Sequence, residues 1–169
     1  VVVPDFAIAK NAWNPTNTTA GGYQGSAVQA YCDEAGQAAI ESVFGAAHVL
    51  TVNDLLSSEI NTSAASPGYS VWQGAASSWG WSLHKVRLMS EVEVYGAIVW
   101  SGGYDIGPAN EQFPLFRLMP QLATGLRYNY WLSGIASAVS VCYVSADGCA
   151  STIGIPHLEL GVRPRFLVG

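Results

Sequence analysis

The C-terminal segment, residues 128–169, constrains the fold most because apolar anchors alternate along it with small and polar stretches. A Tyr-Asn-Tyr-Trp-Leu run begins at Tyr128, apolar residues surround Cys142, an Asp147-Gly148 turn follows, and a Gly-Val-Arg-Pro-Arg-Phe run ends at Phe166. This pattern predicts a core strand, a hairpin with a two-residue loop, and a closing strand. Side chains between the anchors can vary without touching the core, so the segment is predicted to carry an exposed face on a scaffold.

The longest predicted helix lies upstream of this segment. Apolar residues recur with helical spacing over 27–44, Ser26 is a candidate N-cap, and Gly45 is placed to end the helix. A short strand is predicted at 48–52, followed by a short helix at 53–60 with Asn53 as its N-cap.

Further elements are predicted in the middle of the chain. Residues 86–88 suit a strand, and Ser90 and Glu93 have the spacing of a capping box that starts a short turn of helix. Residues 98–100 are strand-like. Two prolines in 113–120 predict an edge strand or an irregular wrap there.

Aromatic residues cluster in two stretches outside these elements. Residues 1–24 predict an irregular N-terminal wrap that packs Trp13 and Tyr23 onto the body. A second cluster is expected to plug the core under a long loop, with a carbohydrate or partner platform as the alternative. Its members are Tyr69, Trp72, Trp79 and Trp81.

The composition limits the kinds of partner. Half of the residues are apolar and only 11% are charged, against about 25% in ordinary soluble domains. Such a surface suits an oligomer or a larger particle. The net charge of −5 argues against binding to nucleic acid or anionic membranes. No apolar run is long enough for a transmembrane helix, and the first residues lack the regions of a signal peptide.

The three cysteines are expected to be reduced thiols. A two-residue loop at Asp147-Gly148 would place Cys142 opposite Ile153 and Cys149 opposite Ala146, which is too far apart for a disulfide. The cysteine and histidine spacings match no zinc motif, so no metal or cofactor is expected.

The sequence lacks the motifs of common enzyme classes, and the chain is predicted not to be an enzyme. Glu91 and Glu93 would point apart on a helix, which makes them a poor catalytic pair. A buried glutamate there needs an arginine partner, and Arg87 and Arg163 are candidates. Arg163, in an apolar strand, is predicted to form a structural salt bridge with Glu91 or Glu93.

Four motifs occur in an order that resembles a known family. They are Leu-Met-Ser-Glu-Val-Glu-Val-Tyr-Gly at 88–96, Tyr-Trp-Leu at 130–132, Tyr-Val-Ser-Ala-Asp-Gly at 143–148, and Gly-Val-Arg-Pro at 161–164 with Phe166. Residues 12–169 thereby resemble bacterial and phage domains of unassigned function with Ser-Glu-Val-Glu-Val-Phe-Gly, Trp-Leu-Arg and terminal Gly-Val-Arg-Pro-Ala-Phe motifs. The chain departs from that pattern at Ser133-Gly134, where Arg is usual after Trp-Leu, and at Arg165, where Ala or Gly is usual.

The resemblance implies a fold and an architecture. The family is similar to C-type-lectin-like and sulfatase-modifying-factor-like domains, and some relatives are variable proteins of diversity-generating retroelements. We therefore expect residues 1–169 to form one α+β, C-type-lectin-like domain. One long and one short helix would pack on small antiparallel sheets joined by long irregular loops.

The resemblance also implies a function. We expect a phage virion structural protein with a receptor-binding or host-adhesion face, on a tail fibre, a spike or a head decoration, and open to hypervariation. The alternatives are a capsid or tail building block and a carbohydrate-binding adhesin on the bacterial surface. The expected partners are a host surface protein or glycan and other virion subunits, in a homo-oligomer such as a trimer assembled in the host cytoplasm.

The residues assigned to the binding face are the small, polar and aromatic ones between the apolar anchors. They are Tyr128, Tyr130, Ser133, Ser145, Asp147, Cys149, Ser151, Ile153, His157 and Glu159.

Overall fold

A computed structural model describes residues 1–61, 76–101 and 111–169, and they form an α+β fold, as predicted. The strands are β1 (Ala9–Ala12), β2 (Val49–Leu50), β3 (Val52–Ile60), β4 (Ala76–His84), β5 (Val86–Leu88), β6 (Tyr130–Ser137), β7 (Ser140–Val144), β8 (Ala150–Gly154), β9 (Glu159–Val162) and β10 (Pro164–Val168). The helices are α1 (Ala27–Tyr31), α2 (Gln37–Phe44), α3 (Glu91–Tyr95) and α4 (Pro114–Leu118), with a π-helical turn (Cys32–Gly36) between α1 and α2 and a 3₁₀ helix (Pro120–Arg127) after α4.

The strands form three sheets, of five, three and two strands. The largest has the order β1-β9-β6-β7-β8, the second has the order β2-β10-β5, and β3 pairs with β4 alone. The closing segment therefore divides at Arg163, because β9 belongs to the first sheet and β10 to the second. The single closing strand expected from the sequence is two strands. Val2 also pairs with Phe166, which brings the two ends of the chain together.

The core lies on both faces of the five-stranded sheet. Every residue of β6 is buried, and its side chains alternate between two apolar clusters, as the period of a strand requires. Trp131 and Ile135 belong to a cluster with the long helix. Tyr130 and Leu132 belong to a cluster with α3 and α4.

The long helix runs from Ala27 to Phe44 through its π-helical turn, as predicted. Ser26 Oγ accepts a hydrogen bond from the backbone N–H of Gln29, and Gly45 ends the helix with a φ of 86°, which favours glycine. The capping box at α3 is also confirmed. Glu93 N–H donates to Ser90 Oγ while Ser90 N–H donates to a Glu93 carboxylate oxygen.

Two local predictions are wrong. Residues 53–60 lie in strand β3 instead of a short helix, because Asp54 and Leu56 alternate into the interior while β3 pairs with β4 from Val52 onward. Residues 98–100 are not a strand. They form a bend in which the backbone N–H groups of Val99 and Trp100 donate to the carboxylate of Glu91.

The prediction for 113–120 is also wrong, since α4 replaces the expected edge strand or wrap. Pro114 occupies the first turn of α4 and Pro120 opens the 3₁₀ helix. A proline is tolerated there because the first turn of a helix leaves its N–H groups without partners in any case.

The β7–β8 hairpin has a longer loop than the sequence suggested. Val144 pairs with Ala150, so the loop comprises residues 145–149 and the expected two-residue turn is wrong. Gly148 there has a φ of 88°, in the region that favours glycine. No disulfide joins the three cysteines, of which Cys32 and Cys142 are buried and Cys149 is exposed.

The two aromatic clusters predicted from the sequence differ in how deeply their side chains are buried. Trp13 and Tyr23 are fully buried, as predicted, and residues 1–24 are irregular apart from β1. Trp81 is 60% exposed and does not plug the core, while Trp79 is half-buried. Tyr69 and Trp72 lie outside the described residues.

Candidate functional site

The structure separates the residues assigned to the binding face into three groups. Side chains at Tyr128, Asp147, Cys149, His157 and Glu159 are exposed, and those at Ser145 and Ser151 are half-buried. Tyr130 and Ser133 are each 1% exposed, so their assignment to the face is wrong. The side chain of Ile153 lies outside the described part of the chain.

Tyr130 and Ser133 are buried because β6 is the central strand of its sheet and is covered on both sides. The Tyr130 hydroxyl donates to the Ala123 carbonyl over 2.8 Å. Ser133 N–H donates to the Met89 carbonyl over 2.9 Å. Both residues tie β6 to the elements packed on it.

The exposed residues gather at one end of the five-stranded sheet. Tyr130 pairs with Gly161 on one side and with Val144 on the other. Tyr128 therefore lies two residues before β6, beside Glu159 at the start of the neighbouring parallel strand β9, and the 145–149 loop leaves the sheet beside them. We call this end of the sheet, formed by Tyr128, Glu159 and the 145–149 loop, the sheet-end surface.

The 145–149 loop is held in place through its backbone. Ala146 N–H donates to Asn129 Oδ1 over 2.7 Å, the Tyr95 hydroxyl donates to the Gly148 carbonyl over 2.9 Å, and Trp100 Nε1 donates to the Ala150 carbonyl over 3.2 Å. Burial raises the pKa of Tyr95, so its hydroxyl stays protonated and remains a donor.

The side chains of the loop supply its polar and ionisable groups. The Ser145 hydroxyl donates to the Asp147 carboxylate, and this hydrogen bond lowers the pKa of Asp147. Asp147 and Cys149 remain exposed. The loop thus presents a carboxylate and a thiol on a fixed backbone.

A groove of about 500 Å³ borders the sheet-end surface. Its lining residues are Phe6, Ala7, Ala9, Lys10, Tyr128 and Gly161. The Lys10 ammonium lies over the Tyr128 ring, 5.7 Å from its centroid, within range of a cation–π interaction. We call this feature the Phe6–Tyr128 groove.

Arg163 does not form the predicted salt bridge with Glu91 or Glu93. Its Nε donates to the Pro4 carbonyl over 2.8 Å and its Nη1 to the Leu122 carbonyl over 2.9 Å, with Tyr130 Oη at 3.2 Å from Nη1. Its guanidinium carbon also lies 5.1 Å from the centroid of the Tyr130 ring. Arg163 therefore secures the N-terminal segment two residues before Phe6.

Glu93 pairs with two other arginines. Arg87 Nη2 lies 2.7 Å from Glu93 Oε1 and Arg87 Nε lies 2.7 Å from Asp54 Oδ2. Arg165 pairs with the same Asp54 oxygen and lies 3.5 Å from Glu93 Oε1. Arg87 was one of the two candidates from the sequence, whereas Arg165 was missed. We call these residues (Asp54, Arg87, Glu93 and Arg165) the four-charge cluster.

The two arginines of the four-charge cluster differ electrostatically. Burial alone would lower the pKa of Arg87, but attraction to Glu93 and Asp54 raises it above its ordinary value. Burial and the repulsion from Arg87 lower the pKa of Arg165. All four side chains are at least nine-tenths buried, which indicates a structural role.

Glu91 has a different structural role. Its carboxylate accepts hydrogen bonds from the backbone N–H groups of Val99, Trp100 and Ser101, and from the Ser101 hydroxyl over 2.6 Å. Because Trp100 also contacts the Ala150 carbonyl, Glu91 indirectly supports the 145–149 loop.

A partly buried acid–histidine pair also escaped sequence reasoning. His84 Nδ1 lies 2.7 Å from Asp33 Oδ1, and Gln29 Nε2 donates to the same Asp33 oxygen over 2.8 Å. His84 Nε2 is buried and has no hydrogen-bond partner among the described residues. Within that part of the chain the pair thus lacks a contacting nucleophile, and no local sequence signal joins positions so far apart.

The described residues hold no group of three or more histidine, cysteine or acidic side chains placed to bind a metal ion. They also include no helix that is both long and apolar enough to cross a bilayer. No family model matches the chain, and comparisons with curated proteins and with solved structures yield no match.

Proposed function

We propose that this chain is a binding module and not an enzyme, and that it acts as a phage virion protein that attaches to a host receptor through the sheet-end surface. The proposal rests on the contrast between the exposed side chains of the 145–149 loop and the hydrogen bonds that fix its backbone. Asp147 and Cys149 are exposed on a loop whose backbone donates at Ala146 and accepts at Gly148, and Ala150, directly after the loop, accepts from Trp100. A fixed backbone under exposed side chains is the arrangement that recognition surfaces need.

We also propose the C-type-lectin-like fold for residues 1–169. Support comes from the pairing of Val2 with Phe166 and of β1 with β9, which closes the ends of the chain on each other. The exposed residues of the sheet-end surface can change without altering the buried core, which suits diversification of this segment. We place the protein in the virion, with the surface of a bacterium as the alternative location.

A cell-binding assay tests the proposed function. Fluorescently labelled protein would be applied to a panel of intact bacterial strains and bound fluorescence measured by flow cytometry. We expect at least one strain to bind the wild-type protein. We expect a triple variant of the loop (Ser145→Ala, Asp147→Ala and Cys149→Ala) to lose at least about tenfold in affinity, the equivalent of about 1.4 kcal/mol.

A matched triple variant on the β3–β4 hairpin serves as control, because its residues are also exposed and lie outside the sheet-end surface. It combines Asn53→Ala, Glu59→Ala and Ser77→Ala, and we expect it to bind like the wild type. Equal binding by the loop variant and the wild type would refute the proposal. Loss in the hairpin variant alone would move the binding surface to the hairpin.

A second candidate function has its own observation. Trp81 and Leu83 are 60% and 69% exposed and lie two residues apart on β4, so they share one face of the hairpin. An exposed apolar face on a sparsely charged chain suits contacts with other copies or other virion subunits. We propose this face for assembly, in a homo-oligomer such as a trimer, whether the chain is a receptor-binding protein, a capsid or tail building block, or a bacterial adhesin.

A further inference from the structure

We infer that the Phe6–Tyr128 groove binds a sugar ring that carries a carboxylate, as a uronic or sialic acid does. This inference rests on the proposed binding function and names the class of ligand. It depends on three features of the groove: two aromatic rims, a floor of small residues, and one cation.

The aromatic rims are available to a ligand. Phe6 and Tyr128 are 55% and 52% exposed, and both line the groove. The C–H face of a pyranose ring is apolar and weakly positive, and it stacks on the negative face of an aromatic ring. Two exposed rings at one groove therefore provide stacking surfaces for sugar.

Small residues form the floor of the groove, so no bulky side chain fills it. Ala7, Ala9 and Gly161 line it, and a Cβ at Gly161 would lie 2.8 Å from Ala7 Cβ and 3.0 Å from the Asn129 carbonyl oxygen. A larger residue at Gly161 would displace this backbone. The volume of about 500 Å³ falls within the roughly 300–1,000 Å³ typical of sites for small ligands.

Charge selects an acidic sugar over a neutral one. Lys10 is the charged residue among those that line the groove, and its ammonium contacts the Tyr128 ring without an ion pair to any described residue. A ligand carboxylate next to Tyr128 would supply that missing counterion. Such a charge-assisted contact is stronger than a hydrogen bond between neutral groups.

The exposure of the rings favours a sugar over an aromatic peptide side chain. A peptide anchor contributes most in a fully desolvated pocket, and neither Phe6 nor Tyr128 is more than half buried. A sugar needs only one covered face, because its hydroxyl groups remain in water at the open side.

The groove is preorganised by the buried residues around it. Arg163 holds the Pro4 carbonyl, which positions the segment that carries Phe6. Pairing of β1 with β9 sets Lys10 opposite Gly161, and Ile8 N–H donates to the Val162 carbonyl over 2.8 Å. Little ordering is required on binding, which favours affinity.

Calorimetric titration with defined oligosaccharides tests the inference. The acidic probes end in glucuronic acid or in sialic acid, and the neutral probe ends in glucose in place of glucuronic acid. We expect an acidic probe to bind at least about tenfold more tightly than the neutral one. We expect Lys10→Met to remove that preference, and about 0.5 M NaCl to weaken it because the contact is exposed to screening.

Variants of the rims complete the test. Tyr128→Ala and Phe6→Ala should each weaken binding of the acidic probe about tenfold or more, whereas Leu118→Ala, the loss of an exposed apolar side chain outside the groove, should not change it. Urea denaturation checks that each variant is folded. The inference is overturned if the neutral probe binds as well as the acidic ones, if no probe binds, or if a Glu-Tyr-Glu peptide binds more tightly.

The cell-binding assay separates failure of this inference from failure of the proposed function. Wild-type binding to cells that survives Lys10→Met and Phe6→Ala but is lost in the loop variant would overturn the sugar site alone. Equal binding by the loop variant and the wild type would overturn the proposed function, whatever the titrations show.

Discussion

Arg163 and Arg165 stand two residues apart in the closing segment and are 2% and 6% exposed, yet their surroundings differ in kind. Arg165 belongs to the four-charge cluster, where two guanidinium groups face two carboxylates. Arg163 faces the Pro4 and Leu122 carbonyls and the ring of Tyr130. One charge is balanced by carboxylates and the other by dipoles and π electrons.

The difference shows two ways of keeping a buried cation. A buried charge loses its hydration and needs compensation from the protein. The four-charge cluster supplies it with full opposite charges and joins β3, β5, α3 and β10 in doing so. Arg163 is compensated by oriented carbonyl groups and an aromatic ring, and it joins the N-terminal segment to the 3₁₀ helix. The first site holds the body together, and the second holds the edge that carries the groove.

The largest effect is expected from Arg165→Met, which keeps most of the side-chain length but removes the charge. Asp54 and Glu93 would then share Arg87 alone, leaving a buried excess of negative charge. Breaking a buried ion pair in this way costs about 3–5 kcal/mol. Urea denaturation followed by tryptophan fluorescence would measure the loss in the free energy of unfolding.

Arg163→Met should have a smaller effect, because no carboxylate is left without its partner. Carbonyl oxygens that lose a donor cost about 1–3 kcal/mol. Hydrogen exchange should rise at the Val2 and Ile8 amides, whose bonds to Phe166 and Val162 fasten the N-terminal segment.

The two methionine variants control for each other, since both replace a buried arginine by the same residue. If Arg163→Met lowered the free energy of unfolding as much as Arg165→Met, or more, the contrast would fail. Carbonyl groups and an aromatic ring would then not take the place of carboxylates around Arg163. Unchanged hydrogen exchange at Val2 and Ile8 would contradict the assignment of Arg163 to the N-terminal edge.

Sequence reasoning succeeded where the signal was local. The helix that begins after Ser26 and ends before Gly45, and the capping box of Ser90 and Glu93, were predicted from spacing within one element. The full set of partners around Glu93 was not, because Asp54, Arg87 and Arg165 meet only when three strands pack together. The apolar neighbours of Arg163 suggested a need for a carboxylate, and backbone carbonyls met that need without leaving any mark in the sequence.

The candidate site shows the same limit. Tyr128 was identified because it precedes a strong strand pattern, but Phe6 and Lys10 reach it only through pairing of β1 with β9 at opposite ends of the chain. Tyr130 and Ser133 were misplaced because a central strand covered on both faces has no polar side to reveal its orientation. Residues 53–60 were misread since Asn53 is also a good N-cap.

The smallest effect is expected at Tyr130. Its titration tests whether the surroundings of Arg163 favour a neutral hydroxyl over a charged tyrosinate. Burial raises the pKa of Tyr130 to about 12, although Arg163 acts in the opposite direction. An unfolded tyrosine has a pKa of about 10. The folded state therefore keeps the proton more tightly, and the stability from this residue is complete below about pH 10 and is lost as the pH rises toward about 12. At about pH 11 the loss is about 1.4 kcal/mol.

Tyr130→Phe should reduce the fall in unfolding free energy between about pH 9 and about pH 11 by that amount. Urea denaturation at each pH would measure the change. Tyr128→Phe, at an exposed position, serves as the matched control. A slope unchanged by Tyr130→Phe would mean that Arg163 stabilises the tyrosinate as well as a carboxylate partner would, and the contrast between the two arginines would disappear.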